Sequence, residues 1–118
     1  MFANTLTITI NAVAYVLTRV NQDNYGSTYI KKDATQSMTL QFRNNTESEA
    51  KTGVSFDRHN MFFEHIVYAT PTTVEKKYTV STVYRQSFGS DATWLGQVVA
   101  GFQTLETAQK DGLIGWES

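Results

Sequence analysis

VSFDRHNMFFEHIVYATP, residues 54–71, holds both histidines of this 118-residue chain, an acid near each, and a dense set of aromatics. As a cluster of ligands it would make an enzyme; as one long strand it makes part of a sheet. Strand geometry decides between them. Side chains alternate between faces, so His59 and His65 share a face, but six residues at about 3.3 Å each put them roughly 20 Å apart. A zinc ion holds its ligands at about 2 Å, so the two cannot share one. Asp57 and His59, two residues apart and about 7 Å from one another, could meet only through a water. The serines fall in turns or at strand ends, so none completes a triad with His59. The glycines form no strand–GxxxxGK–helix phosphate loop. The chain therefore reads as no enzyme, with no catalytic residue, no cofactor and no metal site, and with structural histidines.

The rest of the chain supplies partners for that strand. TLTITI (5–10) alternates Leu6, Ile8 and Ile10 with threonines, and Asn11-Ala12 turns it into VAYVLTRV (13–20), a hairpin over 5–20. NQDNYGS (21–27) is a turn cluster, TYIKK (28–32) a short strand, and DATQ (33–36) a loop. SMTLQFRN (37–44) sends Met38, Leu40 and Phe42 one way and Thr39, Gln41 and Arg43 the other. NTESEAKTG (45–53) reads as a polar loop. Pro71, the one proline, sits in ATPTT (69–73) and ends the long strand, and VEKKYTVSTVYRQ (74–86) returns beside it. The sheet is expected over 28–86.

After Gly89 the period changes from two to three or four. Ser90 or Asp91 can cap a helix over 90–110, in which Leu95, Val98, Phe102 and Leu105 recur on one side and Trp94 and Val99 widen the stripe. Lys110 suits the last turn and Gly112 the C′ position. The tail LIGWES adds Ile114 and Trp116. Strands first and one helix last make one domain over 1–118 of the α+β class with an antiparallel sheet.

Composition excludes several classes. There is no cysteine, which removes disulfides, thiolate nucleophiles and Cys-based zinc sites. The start, MFANTLTITINAVAYVL, has no basic region and is broken by Asn and Thr. It reads as mature structure made in a cytosol, neither a signal peptide nor a membrane span. Net charge is −1, but residues 1–88 hold nine Lys or Arg against seven acids, and residues 89–118 one against four. Sheet and helix thus differ in sign.

Three neighbouring strands carry cations among Thr, Ser, Asn and Gln on one face: Thr39, Gln41 and Arg43; Arg58 and Asn60; Lys77, Thr79, Ser81 and Arg85. Such a face is either the solvated side of a sheet or a set of donors for phosphates and base edges. The opposite face is apolar, on the order of 800 Å² over four strands, whereas one helix covers nearer 300 Å². Leaving the difference wet would forgo on the order of 10 kcal/mol, so a homodimer that exchanges helices is expected.

This order of elements, with FDRHNMFFEHIVYA before a short loop and the tail GLIGWES, resembles the coat proteins of single-stranded RNA bacteriophages, the levivirus family. The resemblance implies an N-terminal β-hairpin, an antiparallel β-sheet and a C-terminal helix clasping a dimer partner. It implies dimers that build an icosahedral shell, in a virion made in the bacterial host cytoplasm. One face of the sheet would bind genomic RNA and repress translation at a hairpin that includes the replicase start. RNA-binding candidates are then Thr39, Gln41, Arg43, Arg58, Asn60, Lys77, Thr79, Ser81 and Arg85. The opposite parity on 74–86, with Tyr78 stacking on a base, stays open. Trp94, Leu95, Val98, Phe102, Leu105 and Trp116 would form the clasp. Ala69, Thr70, Pro71, Thr72 and Thr73 would form the loop that meets its copies between dimers. The family's second helix is reduced here to LIGWES, and the lack of cysteine rules out loop disulfides. The rival reading is a small dimeric α+β ligand-binding or enzyme domain with Asp57 and His59 facing a pocket.

Overall fold

The β4–β5 pairing is the longest in the molecule, from Gln36 opposite Val67 to Ser48 opposite Ser55. A computed structural model describes residues 2–48, 53 and 55–116. Six antiparallel strands follow in chain order as one sheet: β1 Thr5–Ile10, β2 Val13–Gln22, β3 Gly26–Lys32, β4 Gln36–Ser48, β5 Ser55–Val67 and β6 Lys76–Ser87. A single helix, α1, covers Ala92–Ile114.

Local chemistry sets the turns. Asn11 and Ala12 both have positive φ, 51° and 65°, as a two-residue hairpin turn demands. The β2–β3 and β3–β4 connections each start from an aspartate that imitates a backbone turn. Asp23 Oδ1 accepts from the amides of Tyr25 and Gly26, both at 2.8 Å. Asp33 Oδ1 accepts from the amide and hydroxyl of Thr35, both at 2.8 Å, and from the Gln36 amide at 3.0 Å. Gly26 permits a close approach, because a Cβ there would lie 2.3 Å from the Phe42 carbonyl oxygen.

The core forms where the N-terminal end of the sheet curls over β4. Leu17, Tyr29 and Met38 are fully buried, with Leu6, Ile8, Ile10, Tyr15, Leu40, Phe42 and Phe63 against them. Phe2 packs on Phe42 with ring centroids 4.3 Å apart, and Tyr29 donates its hydroxyl to the Ala3 carbonyl at 2.5 Å. Arg19 holds the entering chain through Asn4 and the Phe2 carbonyl.

Elsewhere the apolar groups stay open. Val80, Phe102, Leu105 and Trp94 are all more than half exposed, and no helix residue is buried. A compact chain of this mass exposes about 6,500 Å²; this one exposes 8919 Å². Its radius of gyration is 17.2 Å, against about 13 Å for a compact domain of this length. The chain is an open plate with an arm.

Several sequence expectations shift. The segment 45–53 is not a loop throughout, since β4 continues to Ser48 and pairs there with β5. The long partner strand offers these residues a ladder that outweighs their own turn preference. The start of the long strand at Val54 lies outside the described residues. The helix runs Ala92–Ile114 rather than 90–110, so Gly112 is helical, Lys110 is not in the last turn, and Gly115 makes the C-cap with its amide 2.9 Å from the Asp111 carbonyl. A lone glycine costs a helix only about 1 kcal/mol, which its neighbours offset. Asp91, not Ser90, is the N-cap, accepting from the Thr93 amide at 2.9 Å. Leu113 and Ile114 belong to the helix, and residues 117–118 of the tail lie outside the described residues.

The donors converging on Asp33, first the Thr35 amide and then its hydroxyl, lower its carboxyl from 3.8 to about 2. The group gains stability in its charged form, so the turn's contribution is full above the unfolded carboxyl's range. It fades as the pH falls from 3.8 through about 2. An NMR titration should show Asp33 with the lower midpoint, and Asp33→Asn should flatten the acid side of the stability profile over that window.

Candidate nucleic-acid interface

Cross-strand partners share a face, so register decides what the sheet presents. Thr39, Glu64 and Thr79 form one row; Gln41, Phe62 and Ser81 the next; Arg43, Asn60 and Val83 the third; Asn45, Arg58 and Arg85 the fourth. Lys77 stands beside Ile66 on the same side. The ladder therefore brings the nine polar candidates of the sequence onto one surface. Tyr78 pairs with His65 on the opposite, apolar face, which closes the alternative parity for β6.

The surface is uneven. At one end it hollows into an open concavity of about 890 Å³, lined by Gln41, Arg43, Arg58, Asn60, Phe62 and the exposed ring of Tyr25. Thr39, Lys77, Thr79, Ser81 and Arg85 lie outside it. Ser81 donates to Asn60 Oδ1 at 3.3 Å, fixing that amide. Arg58 and Arg85 stand directly opposite one another, an arrangement that repels unless an anion sits near. Glu47 Oε1 meets Arg85 Nε at 2.6 Å, and Glu64 meets Lys77 Nζ at 3.3 Å. Among the described residues, Arg43 and Arg58 have no carboxylate partner.

Several members of this face were missed in the sequence, among them Phe62, Glu64, Tyr25 and Glu47. Phe62 and Glu64 share the parity of Arg58 and Asn60, so the alternation itself could have found them. Tyr25 comes from a turn and Glu47 from a segment read as loop, and no periodicity points to either.

The histidines are held on the other face. His59 Nδ1 lies 2.7 Å from Asn44 Oδ1, and His65 Nε2 lies 2.7 Å from Gln36 Oε1. Asp57 instead accepts from Thr46 at 3.3 Å, so it and His59 find separate partners across the ladder. Among the described residues no cluster of His, Asp and Glu could hold a metal.

Among the described residues, helix α1 packs chiefly against β6, where Leu95 and Val99 approach the strand and Gln103 donates to the Tyr84 hydroxyl at 3.0 Å. Trp94, Val98, Phe102, Leu105 and Trp116 remain exposed. Among the described residues, β6 is an edge strand with no neighbour on its outer side.

Against known proteins, the family model described as phage phiCb5, coat protein, matches residues 3–87. The chain belongs to this coat-protein family. The match runs from the N-terminal segment through the hairpin and sheet to the end of β6. No curated protein matches the chain. The coat protein is thus a structural protein of the virion and not an enzyme, which sets aside the rival enzyme reading. No helix among the described residues is long and apolar enough to cross a membrane.

Proposed function

We propose that this coat protein comes from a single-stranded RNA bacteriophage, that its unit of assembly is a homodimer, and that the dimer builds an icosahedral shell around genomic RNA. The observation that carries the reading is the two-sidedness of the sheet: nine polar and basic candidates on one face, apolar groups and the helix on the other. The excess over a compact monomer is roughly 2,400 Å² per chain, or roughly 4,800 Å² for two chains, within the range of about 2,000–5,000 Å² in total for permanent interfaces. Its components by position are the open edge of β6 and the exposed stripe of α1. Pairing the two β6 edges would extend the sheet across the dimer and satisfy the free amides and carbonyls of that edge. Trp94, Leu95, Val98, Phe102, Leu105 and Trp116 would then clasp the partner.

The other face would meet RNA. Arg43 and Arg58 supply charge for phosphates; Gln41, Asn60, Ser81, Thr39 and Thr79 supply directional donors and acceptors for base edges. Tyr25 and Phe62 are rings on which an unpaired base can stack. A hairpin that overlaps a start codon suits such a site, and its capture would repress translation. With a net charge of −1, affinity has to come from fit to a folded RNA more than from bulk attraction.

The segment 69–73 is a turn closed on itself. Thr70 and Thr73 exchange backbone bonds at 2.9 and 3.3 Å, and their hydroxyls meet at 2.6 Å. Residues Ala69–Thr73 are exposed and add nothing to the core, which suits a contact between dimers.

Three outcomes test the reading. Phe102→Asp places an unpaired charge in the clasp and should abolish soluble dimers in sedimentation or size-exclusion measurements. A wild-type chain that stays a folded monomer at micromolar concentration would overturn dimerisation. Replacing 69–73 by a longer Gly/Ser loop should leave dimers intact and change or stop particle formation, as seen by electron microscopy. Arg43→Ala should weaken binding to the hairpin at the replicase start of the same genome and lower the salt slope by about one unit if it contacts one phosphate.

A further inference from the structure

The cations of the proposed RNA face are not equivalent. Lys77 and Arg85 each hold an acid of the same face, Glu64 at 3.3 Å and Glu47 at 2.6 Å, while Arg43 and Arg58 hold none among the described residues. Glu64 is the more enclosed acid, its side chain 23% exposed, and it sits between Thr39 and Thr79 in the ladder. Glu47 lies at the end of β4, beyond the row that opposes Arg58 to Arg85. Neither acid serves the core, and a surface ion pair contributes little to stability. A carboxylate on a surface that must accept phosphates needs another reason.

The chemistry of the pairs supplies one. An ammonium has three donors and a guanidinium five, so one contact with a carboxylate leaves others to spare. The pair is neutral at a distance but still donates at close range. Bulk attraction of RNA depends on net charge and counterion release, whereas recognition of one folded RNA depends on where donors point. Pairing Lys77 and Arg85 with acids removes the first and keeps the second.

We propose that Glu47 and Glu64 are specificity-determining residues of the RNA face: they cancel the non-specific attraction of Arg85 and Lys77, leaving Arg43 and Arg58 as the general phosphate contacts. The inference rests on the RNA reading of this face. It predicts that acids placed among the cations lower affinity for arbitrary RNA.

The test is binding of a 20-nucleotide oligouridine by the full-length chain, below its assembly concentration and across salt. Glu47→Gln and Glu64→Gln, which keep shape and an acceptor, should each raise affinity about fivefold to tenfold near 50 mM salt and steepen the salt slope by about 0.7. Glu106→Gln, the same charge change on the exposed helix, should leave both within about twofold of wild type. The double variant Glu64→Gln with Lys77→Gln removes one pair without changing net charge. It should bind like wild type, whereas Arg43→Gln should bind more weakly. If the wild-type chain binds and the Glu47 and Glu64 variants match it, or if Glu106→Gln gains as much, the proposal falls and the RNA reading stands. A double variant that loses as much as Arg43→Gln also overturns it, and that arm decides alone if a single variant fails to fold. If neither wild type nor any variant binds, the RNA reading itself falls.

Discussion

The antiparallel ladder between β4 and β5 is the constraint on which the molecule depends. Thirteen residues of each strand pair without a slip, from Gln36 and Val67 to Ser48 and Ser55. A shift of one residue would exchange the two faces, sending Leu40 and Phe42 to the polar side and Arg43 to the apolar side. The apolar side chains hold that register because only one arrangement packs Met38 and Leu40 under the curled hairpin. Everything functional on the sheet inherits its direction from this pairing, including residues on β6, which hydrogen-bonds to β5 and not to β4.

The same constraint explains why the chain is open. A meander of six strands with a single terminal helix has more apolar surface than it can cover. The hairpin rolls over one end and buries Leu17, Tyr29 and Met38; the helix lies against the other edge. The apolar surface left open on β6 and α1 would gain its hydrophobic free energy only against another molecule, so on the proposed reading stability is coupled to assembly. For a coat protein this coupling is useful. A subunit that is incomplete alone has its lowest free energy in the shell.

Charge on the sheet follows a different logic. The polar face is not a basic patch: it interleaves cations with Glu47 and Glu64, and it includes Phe56, Phe62 and Ile66 by parity. On the proposed RNA reading, such a face would attract an arbitrary polyanion weakly and hold a fitted one through its directional donors. Its hollow near Tyr25 collects two arginines, four amides and two rings within one concavity.

Much of this was legible in the sequence, because hydrophobic alternation with period two is a local signal. The order of strands, the hairpin turn at Asn11-Ala12, the helix after Gly89 and the two faces of β4, β5 and β6 all follow from it. The boundaries were less legible. Asn45, Thr46 and Glu47 carry loop composition yet lie in β4, since the long β5 partner offers them a ladder that outweighs their own preference. Gly112 carries a stop signal that the helix overrides. Tertiary structure alone decided which side chains meet: that Tyr25 from a turn joins Arg43 and Arg58, that Glu47 finds Arg85, and that His59 turns to Asn44 rather than Asp57. Periodicity assigns a face to each residue, but cross-strand distance depends on register, and register is settled by packing across the whole sheet.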